Sequence, residues 1–194
     1  MLNLSNISSD LGISSVTLKE WLSILEASYV VFLLKPFYTK LSKQLIKSPK
    51  LYFTDTGLVC YLLGIDNPNQ LKSHPLRGNI FENLIVIEIL KSRINKGKII
   101  NLNYYRDKHK EVDLIYKIAN KFALLEIKSS ETFNKEFIGN LTYLENLLSK
   151  QIIDKALVYC GSESYEMNQT KIINLESLNN YLQKVSLLPQ TPKN

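Results

Sequence analysis

The chain has 194 residues, enough for one ordinary domain or for a small module joined to a medium one. A composition of 45% hydrophobic and 22% charged residues, with seven Gly and six Pro, excludes wholesale disorder, collagen-like repeats and low-complexity sequence. Lys and Arg number 24 against 18 Asp and Glu, a formal charge of +6, so a polyanionic partner is reasonable though not required.

No apolar stretch approaches the roughly 18–20 residues of a membrane span. The start, MLNLSNISSD, has neither a basic n-region nor an apolar core, so no signal peptide is expected. The two cysteines, Cys60 and Cys160, sit in apolar runs and read as buried free thiols in a reducing cytoplasm. No G-x-x-x-x-G-K-[ST] occurs, so no ATPase activity is expected from these residues.

Asn6–Leu11 reads as a short helix and Gly12-Ile13-Ser14 as a turn. Ser15 is placed to cap a second helix, Val16–Leu25, with Val16, Leu18, Leu22 and Leu25 near helical spacing. This is helix-turn-helix grammar. YVVFLLKPF, ended by Pro36, and KLYF, after Pro49, read as two strands that complete a wing. Between Glu26 and Asp55 stand five lysines (Lys35, Lys40, Lys43, Lys47, Lys50) and no acid. With Lys19 on the second helix, Lys40, Lys43, Lys47 and Lys50 are the expected DNA-phosphate contacts; the alternative is a solvated loop. Winged helices also dock proteins, so the wing alone does not decide between partners. Thr54-Asp55-Thr56 then opens an apolar helix that closes at Gly64.

The polar stretch DNPNQLKSHP, residues 66–75, marks a module boundary. The division expected is a winged helix-turn-helix module over 1–70, a second domain over 71–188 and a frayed tail over 189–194. Gly78–Lys96 reads as a long helix. IINLNYYR, EVDLIYKI and KFALLEIKSS follow as strands. A helix over Asn134–Leu148, the strand KALVYC, a short strand over Lys171–Asn174 and a helix over Leu178–Val185 complete the chain. The expected class is α/β, with the order αβββαβ.

Glu82, Asp113, Glu126 and Lys128 carry the chemistry. If Ala119-Asn120 are the hairpin's two loop residues, Asp113 lies directly opposite Glu126, with Cβ atoms about 4.5–5.5 Å apart, and Lys128 shares their face. A loop centred on Asn120-Lys121 would set Asp113 opposite Lys128 instead, and a three-residue loop would break the registration. Facing carboxylates need a cation between them or a proton on one of them. Mg²⁺, which takes oxygen ligands and keeps waters, answers that need, and a lysine alongside completes the parts for phosphodiester hydrolysis. The plain alternative is a solvated strand face. Glu82 reads either as the far end of a capping box with Asn79 or as a third metal ligand. His74 and His109 have no metal-site spacing and read as surface residues, and Tyr104 and Tyr105 as half core, half surface.

The segments SNISSDLGISSVTLKEWLSILEASYVV, KLYFTDTGLVCYLLGI, HPLRGNIFENLIVIEIL, YYRDKHKEVDLIY and LLEIKSS resemble a known family in order, from about Leu2 to Glu176. They are similar to the C-terminal region of bacterial and archaeal AAA-type ATPases that end in the domain labelled DUF4143. The resemblance implies a winged helix followed by a restriction-endonuclease-like domain of the PD-(D/E)XK superfamily. Asp113 matches the metal-binding Asp, Glu126 and Lys128 match the (D/E)-x-K, and Glu82 matches the acid of the first core helix. Arg77-Gly78 and Arg106-Asp107 match recurring parts of the family. Val112 stands where the superfamily has Pro. The ATPase core is absent and the chain begins inside the winged helix, so a truncated gene product or an excised piece is expected.

The leading expectation is DNA binding with Mg²⁺-dependent endonuclease chemistry, Mn²⁺ substituting. Asp113, Glu126 and Glu82 would meet the metal, and Lys128 would position the water. The rival is a non-catalytic regulatory or protein-interaction module on the same scaffold, working with an ATPase in trans. A third reading is an inert fragment.

Overall fold

The computed structural model describes residues 2–38, 48–107 and 110–186. Lys40, Lys43, Lys47, His109 and the expected tail lie outside the described residues.

Helix α1, Leu4–Leu11, is capped by the Asn3 side chain and ends at Gly12, whose φ of 65° lets its N–H turn back to the Ser8 and Ser9 carbonyls. Helix α2, Ser15–Ala27, is capped by Ser14, not Ser15: the Ser14 hydroxyl accepts the Thr17 N–H. The expected apolar face of α2 is only partly turned inward. Leu18 is buried, but Val16 stays 65% exposed and Leu25 37%; Trp21 and Ile24, outside that face, are exposed as well. Strands β1, Val31–Leu34, and β2, Lys50–Phe53, pair antiparallel from Val31↔Phe53 to Leu34↔Lys50. The Asp55 carboxylate caps α3, Thr56–Leu62, through the N–H groups of Gly57 and Leu58.

The polar stretch after α3 holds a further short helix, α4, Pro68–Ser73. Asn67 caps it and Pro68 sits in its first turn, where a missing N–H costs nothing. Helix α5, Arg77–Ile94, follows with Ile80, Phe81, Ile85, Val86, Ile89 and Leu90 buried.

The main sheet runs β3-β4-β5-β6-β8-β7. Its strands are β3 Leu102–Arg106, β4 Glu111–Ile118, β5 Lys121–Lys128, β6 Ile152–Tyr159, β7 Tyr165–Met167 and β8 Thr170–Asn174. The β3-β4-β5 portion is antiparallel, β6 is parallel to both β5 and β8, and β7 pairs antiparallel with β8. Strand β7 was not expected. Its turn, Asn168-Gln169, has positive φ at both residues, the conformation of a type I′ hairpin reached without glycine. Between β5 and β6 a 3₁₀ turn, Lys135–Ile138, leads into α6, Gly139–Leu148, where one continuous helix was expected. Helix α7, Leu178–Ser186, closes the described chain.

Two apolar layers sandwich the sheet. Helices α5 and α7 cover one face with Ile85, Ile89, Leu178 and Tyr181, and α6 covers the other with Leu141 and Leu144. Leu34 of β1 and Tyr52 of β2 belong to the α5-side cluster, so the core crosses the polar stretch in the sequence. The buried amide of Asn83 on α5 fastens that crossing. It accepts the Phe53 N–H at 2.8 Å and donates to the Phe53 carbonyl at 2.9 Å, as a neighbouring strand would. Pro36 forms a parallel bridge to Tyr104, and the Phe37 N–H donates to the Tyr104 carbonyl. Among the described residues no helix is long and apolar enough to cross a membrane.

Candidate functional site

The β4–β5 hairpin takes the two-residue loop. Pairs run from Ile118↔Lys121 to Leu114↔Leu125, around Ala119, whose φ is positive, and Asn120. On this register Asp113 and Glu126 are the next positions, but backbone pairing stops just before them. Strand β4 carries an extra residue between Tyr105↔Val112 and Asn103↔Ile115, a bulge that includes Asp113. The Asp113 carboxylate instead accepts the Ile127 N–H at 3.0 Å. A bulge re-aims a side chain, and here it puts an acid where the ladder would have continued.

Asp113 is 7% exposed and Glu126 2%. Burial pushes the Asp113 carboxyl well above the usual carboxylate range, and the Glu82 charge adds to it, against the pull of Lys50 and Lys128. Burial pushes Glu126 up as well, the Asp113 charge reinforces it, and the ion pair from Lys128 Nζ at 2.6 Å does not offset the two. The second Glu126 oxygen, Oε2, is buried with no hydrogen-bond partner among the described residues. Burial alone would lower Lys128, but the charges of Glu126 and Asp113 raise it and keep it an ammonium. Glu82, Lys50, Asp113, Glu126 and Lys128 thus form one neighbourhood of five charged groups.

Glu82 does not act as a helix cap. Helix α5 begins at Arg77 after Leu76, with no side-chain cap, so Glu82 lies inside the helix. Its Oε1 accepts from Lys50 Nζ at 2.8 Å and from the Tyr52 hydroxyl at 2.6 Å. Lys50 is therefore not on an open stripe. Its side chain is 11% exposed, and its ammonium also meets Glu111 at 2.5 Å and Asp113 at 3.3 Å. Burial would lower Lys50, but the Asp113 and Glu82 charges outweigh it and hold the ammonium protonated above the ordinary lysine range. Burial and the Glu82 charge together keep the Tyr52 phenol protonated.

A cleft of about 390 Å³ opens beside the cluster, lined by Lys50, Tyr52, Asn79, Glu82, Arg106 and Glu111. Arg106 pairs with Glu111 at 3.2 Å and remains partly exposed at the cleft. Lys50, Tyr52 and Glu111 are the members that sequence reading did not assign to the site. One signal was available: Lys50 and Tyr52 are two apart on a strand and so share a face.

Lys19 is exposed on α2, remote in sequence from the cluster. The His74 ring nitrogen Nδ1 accepts the Leu76 N–H between α4 and α5. Tyr104 and Tyr105 are both buried rather than half exposed. Cys60 and Cys160 are free and half-buried, and both line a separate apolar pocket of about 290 Å³.

The chemistry of the donors fits a hard divalent ion: the acids offer only oxygen, and one buried oxygen of Glu126 lacks a partner. Among the described residues, no group of three or more His, Cys, Asp or Glu is arranged to hold an ion. Oxygens at 2.5–3.3 Å surround the Lys50 nitrogen, wider than the roughly 2.0–2.1 Å that Mg²⁺ demands.

The raised Glu126 carboxyl makes stability depend on pH. Its folded value lies above the unfolded one, so its contribution is present below the unfolded value and is lost as pH rises through the folded value. In metal-free buffer, wild type should lose on the order of 1–2 kcal/mol relative to Glu126→Gln as pH rises from 5 to 9. Urea titrations across that range check it. A wild type that gains on the variant with rising pH contradicts it.

A mixed six-stranded sheet under helices, with acids and a lysine gathered at a bulge, defines an α/β protein with a buried polar site. The chain belongs to the family named domain of unknown function DUF4143, whose family model matches residues 77–178, more than half of the chain. A second family model, domain of unknown function DUF8612, matches residues 1–69. The chain is 27% identical over 169 residues to the uncharacterized protein Rv2008c of Mycobacterium tuberculosis, and equally to the uncharacterized protein Mb2031c of Mycobacterium bovis. The match covers 87% of this chain and 36% of either relative, so the chain spans about a third of their length. No solved structure matches the chain.

Proposed function

We propose that this chain binds DNA and hydrolyses its phosphodiester bonds with a divalent ion, on a winged helix followed by a PD-(D/E)XK nuclease-like domain. The observation that carries this reading is the gathering of Glu82, Asp113, Glu126 and Lys128 from α5, β4 and β5, with one buried Glu126 oxygen lacking a partner among the described residues. Asp113 and Glu126 would hold Mg²⁺ or Mn²⁺, with Glu82 next to it. When bound, the ion supplies Lewis acidity and a more acidic water.

The chain's own groups set the stage. The Ile127 N–H fixes the Asp113 carboxylate. Lys128 holds Glu126 Oε1, which leaves Oε2 free to face an ion. As an ammonium, Lys128 orients a water and offsets charge building on the phosphate. Arg106, partly exposed at the cleft, suits a flanking phosphate.

The test is cleavage of supercoiled, linear and single-stranded DNA with Mg²⁺ or Mn²⁺. Wild type should cut in a metal-dependent manner, and Lys128→Ala should lose about 100-fold or more, as removal of a group that stabilises transition-state charge does. No metal-dependent cutting of any form, or equal cutting by the variant, overturns the proposal.

One observation favours the rival reading of an interaction module. Val16, Trp21 and Ile24 present uncovered apolar surface on α2, where a DNA-facing helix would carry polar groups.

A further inference from the structure

We infer that the Lys50 ammonium is the resident counter-ion of the acidic cluster and must swing out before a divalent cation can enter, so that β2 gates the site through a single side chain. This deepens the proposed function and rests on its metal-binding reading.

The geometry is that of a filled cation site. A lysine ammonium has three N–H donors, and Lys50 meets three carboxylates: Glu111 at 2.5 Å, Glu82 at 2.8 Å and Asp113 at 3.3 Å. Two of these acids, Glu82 and Asp113, are the ones an ion would need. A divalent ion beside them would stand within a few ångströms of the ammonium, and like charges in a largely buried site repel strongly. Occupation by one therefore excludes the other.

The moving part is the side chain rather than the strand. Lys50 is paired with Leu34, and Asn83 clamps both backbone groups of Phe53, so β2 stays in place. The four-carbon stem of Lys50 is flexible, and the cleft it lines leaves room to turn. When Lys50 leaves, the Tyr52 hydroxyl still holds Glu82 Oε1 at 2.6 Å, so that acid keeps its position for the incoming ion. Lys50 and Tyr52 come from the 1–69 match, and the acids from the 77–178 match. The gate thus joins the two halves of the chain.

Mn²⁺ binding to the intact chain tests this by calorimetry, without any cleavage readout. Lys50→Met keeps the stem and removes the charge, and it should bind Mn²⁺ at least about tenfold more tightly than wild type. Lys50→Arg should not. Adding Glu126→Gln should abolish binding in both backgrounds. If Lys50→Met binds no more tightly than wild type while Glu126→Gln abolishes binding, the gate is refuted and the metal site stands. If neither wild type nor Lys50→Met binds Mn²⁺ at millimolar concentration, the metal-site reading and the gate fall together. Should Lys50→Met not fold, wild type decides alone. Saturating Mn²⁺ should raise the rate of Lys50 acetylation by a succinimidyl ester several-fold and leave the exposed Lys91 unchanged. An unchanged Lys50 rate overturns the gate.

Discussion

Lys50→Met should lower the stability of the metal-free protein by about 3 kcal/mol at neutral pH, the low end of what breaking a buried ion pair costs. Methionine keeps the length and packing of the stem but leaves Glu82, Glu111 and Asp113 without their shared cation. Each must then repel the others or take up a proton. Partial exposure of Glu82 and Glu111 keeps the loss near the lower limit, because water takes part of the load. Urea denaturation read by circular dichroism measures the effect. Mn²⁺ should restore much of the lost stability in the variant, since an ion that binds only the folded state stabilises it by mass action. A loss under about 1 kcal/mol would show that the three acids do not depend on the ammonium.

Leu34→Ala should cost about 3–4 kcal/mol and leave a single cooperative transition. Leu34 is fully buried on β1, and its neighbours in the apolar cluster come from α5 and the main sheet. Removing three carbons there opens a cavity between the N-terminal hairpin and the sheet domain. With Tyr52 in the same cluster and Asn83 tied to Phe53, the hairpin shares its packing with α5 and the sheet. Two resolved transitions in calorimetry, or a loss under about 1 kcal/mol, would show instead that the N-terminal segment folds independently of the sheet domain.

Most elements were legible in the sequence because their signals are local. Gly12 marks one turn, and Ala119-Asn120 is one of the hairpin loops the sequence allows between β4 and β5, the one the structure takes. That register is what made Asp113 and Glu126 readable as partners. Other features needed the fold. Helix α4 hid in a stretch whose Asn and Pro content signals a turn as readily as a capped helix start. Strand β7 hid because Asn168-Gln169 lacks the glycine that usually marks a I′ turn. The outward apolar side chains of α2 carry a helical period, and periodicity alone does not say which face is covered.

The site shows the same division. Glu82, Asp113, Glu126 and Lys128 lie on segments whose pattern is local, and the sequence singles them out, whereas Glu111 carries no such signal. Lys50 was read as one of five lysines in an acid-free stretch, and charge counting sends such residues to solvent. Its inward turn depends on the β1–β2 hairpin packing against α5, a contact between residues about 30 apart in sequence. Glu82 stayed open between a cap and a site acid for the same reason: the helix starts at Arg77, and Glu82 is held by β2.

Crystals soaked in Mn²⁺ and measured at the manganese absorption edge test the central claim most directly. An anomalous peak within coordinating distance of Asp113 and Glu126, with the Lys50 ammonium turned out into the cleft, is the result predicted. Fully occupied Mn²⁺ sites elsewhere, with Lys50 still held by Glu82, Glu111 and Asp113, would contradict it.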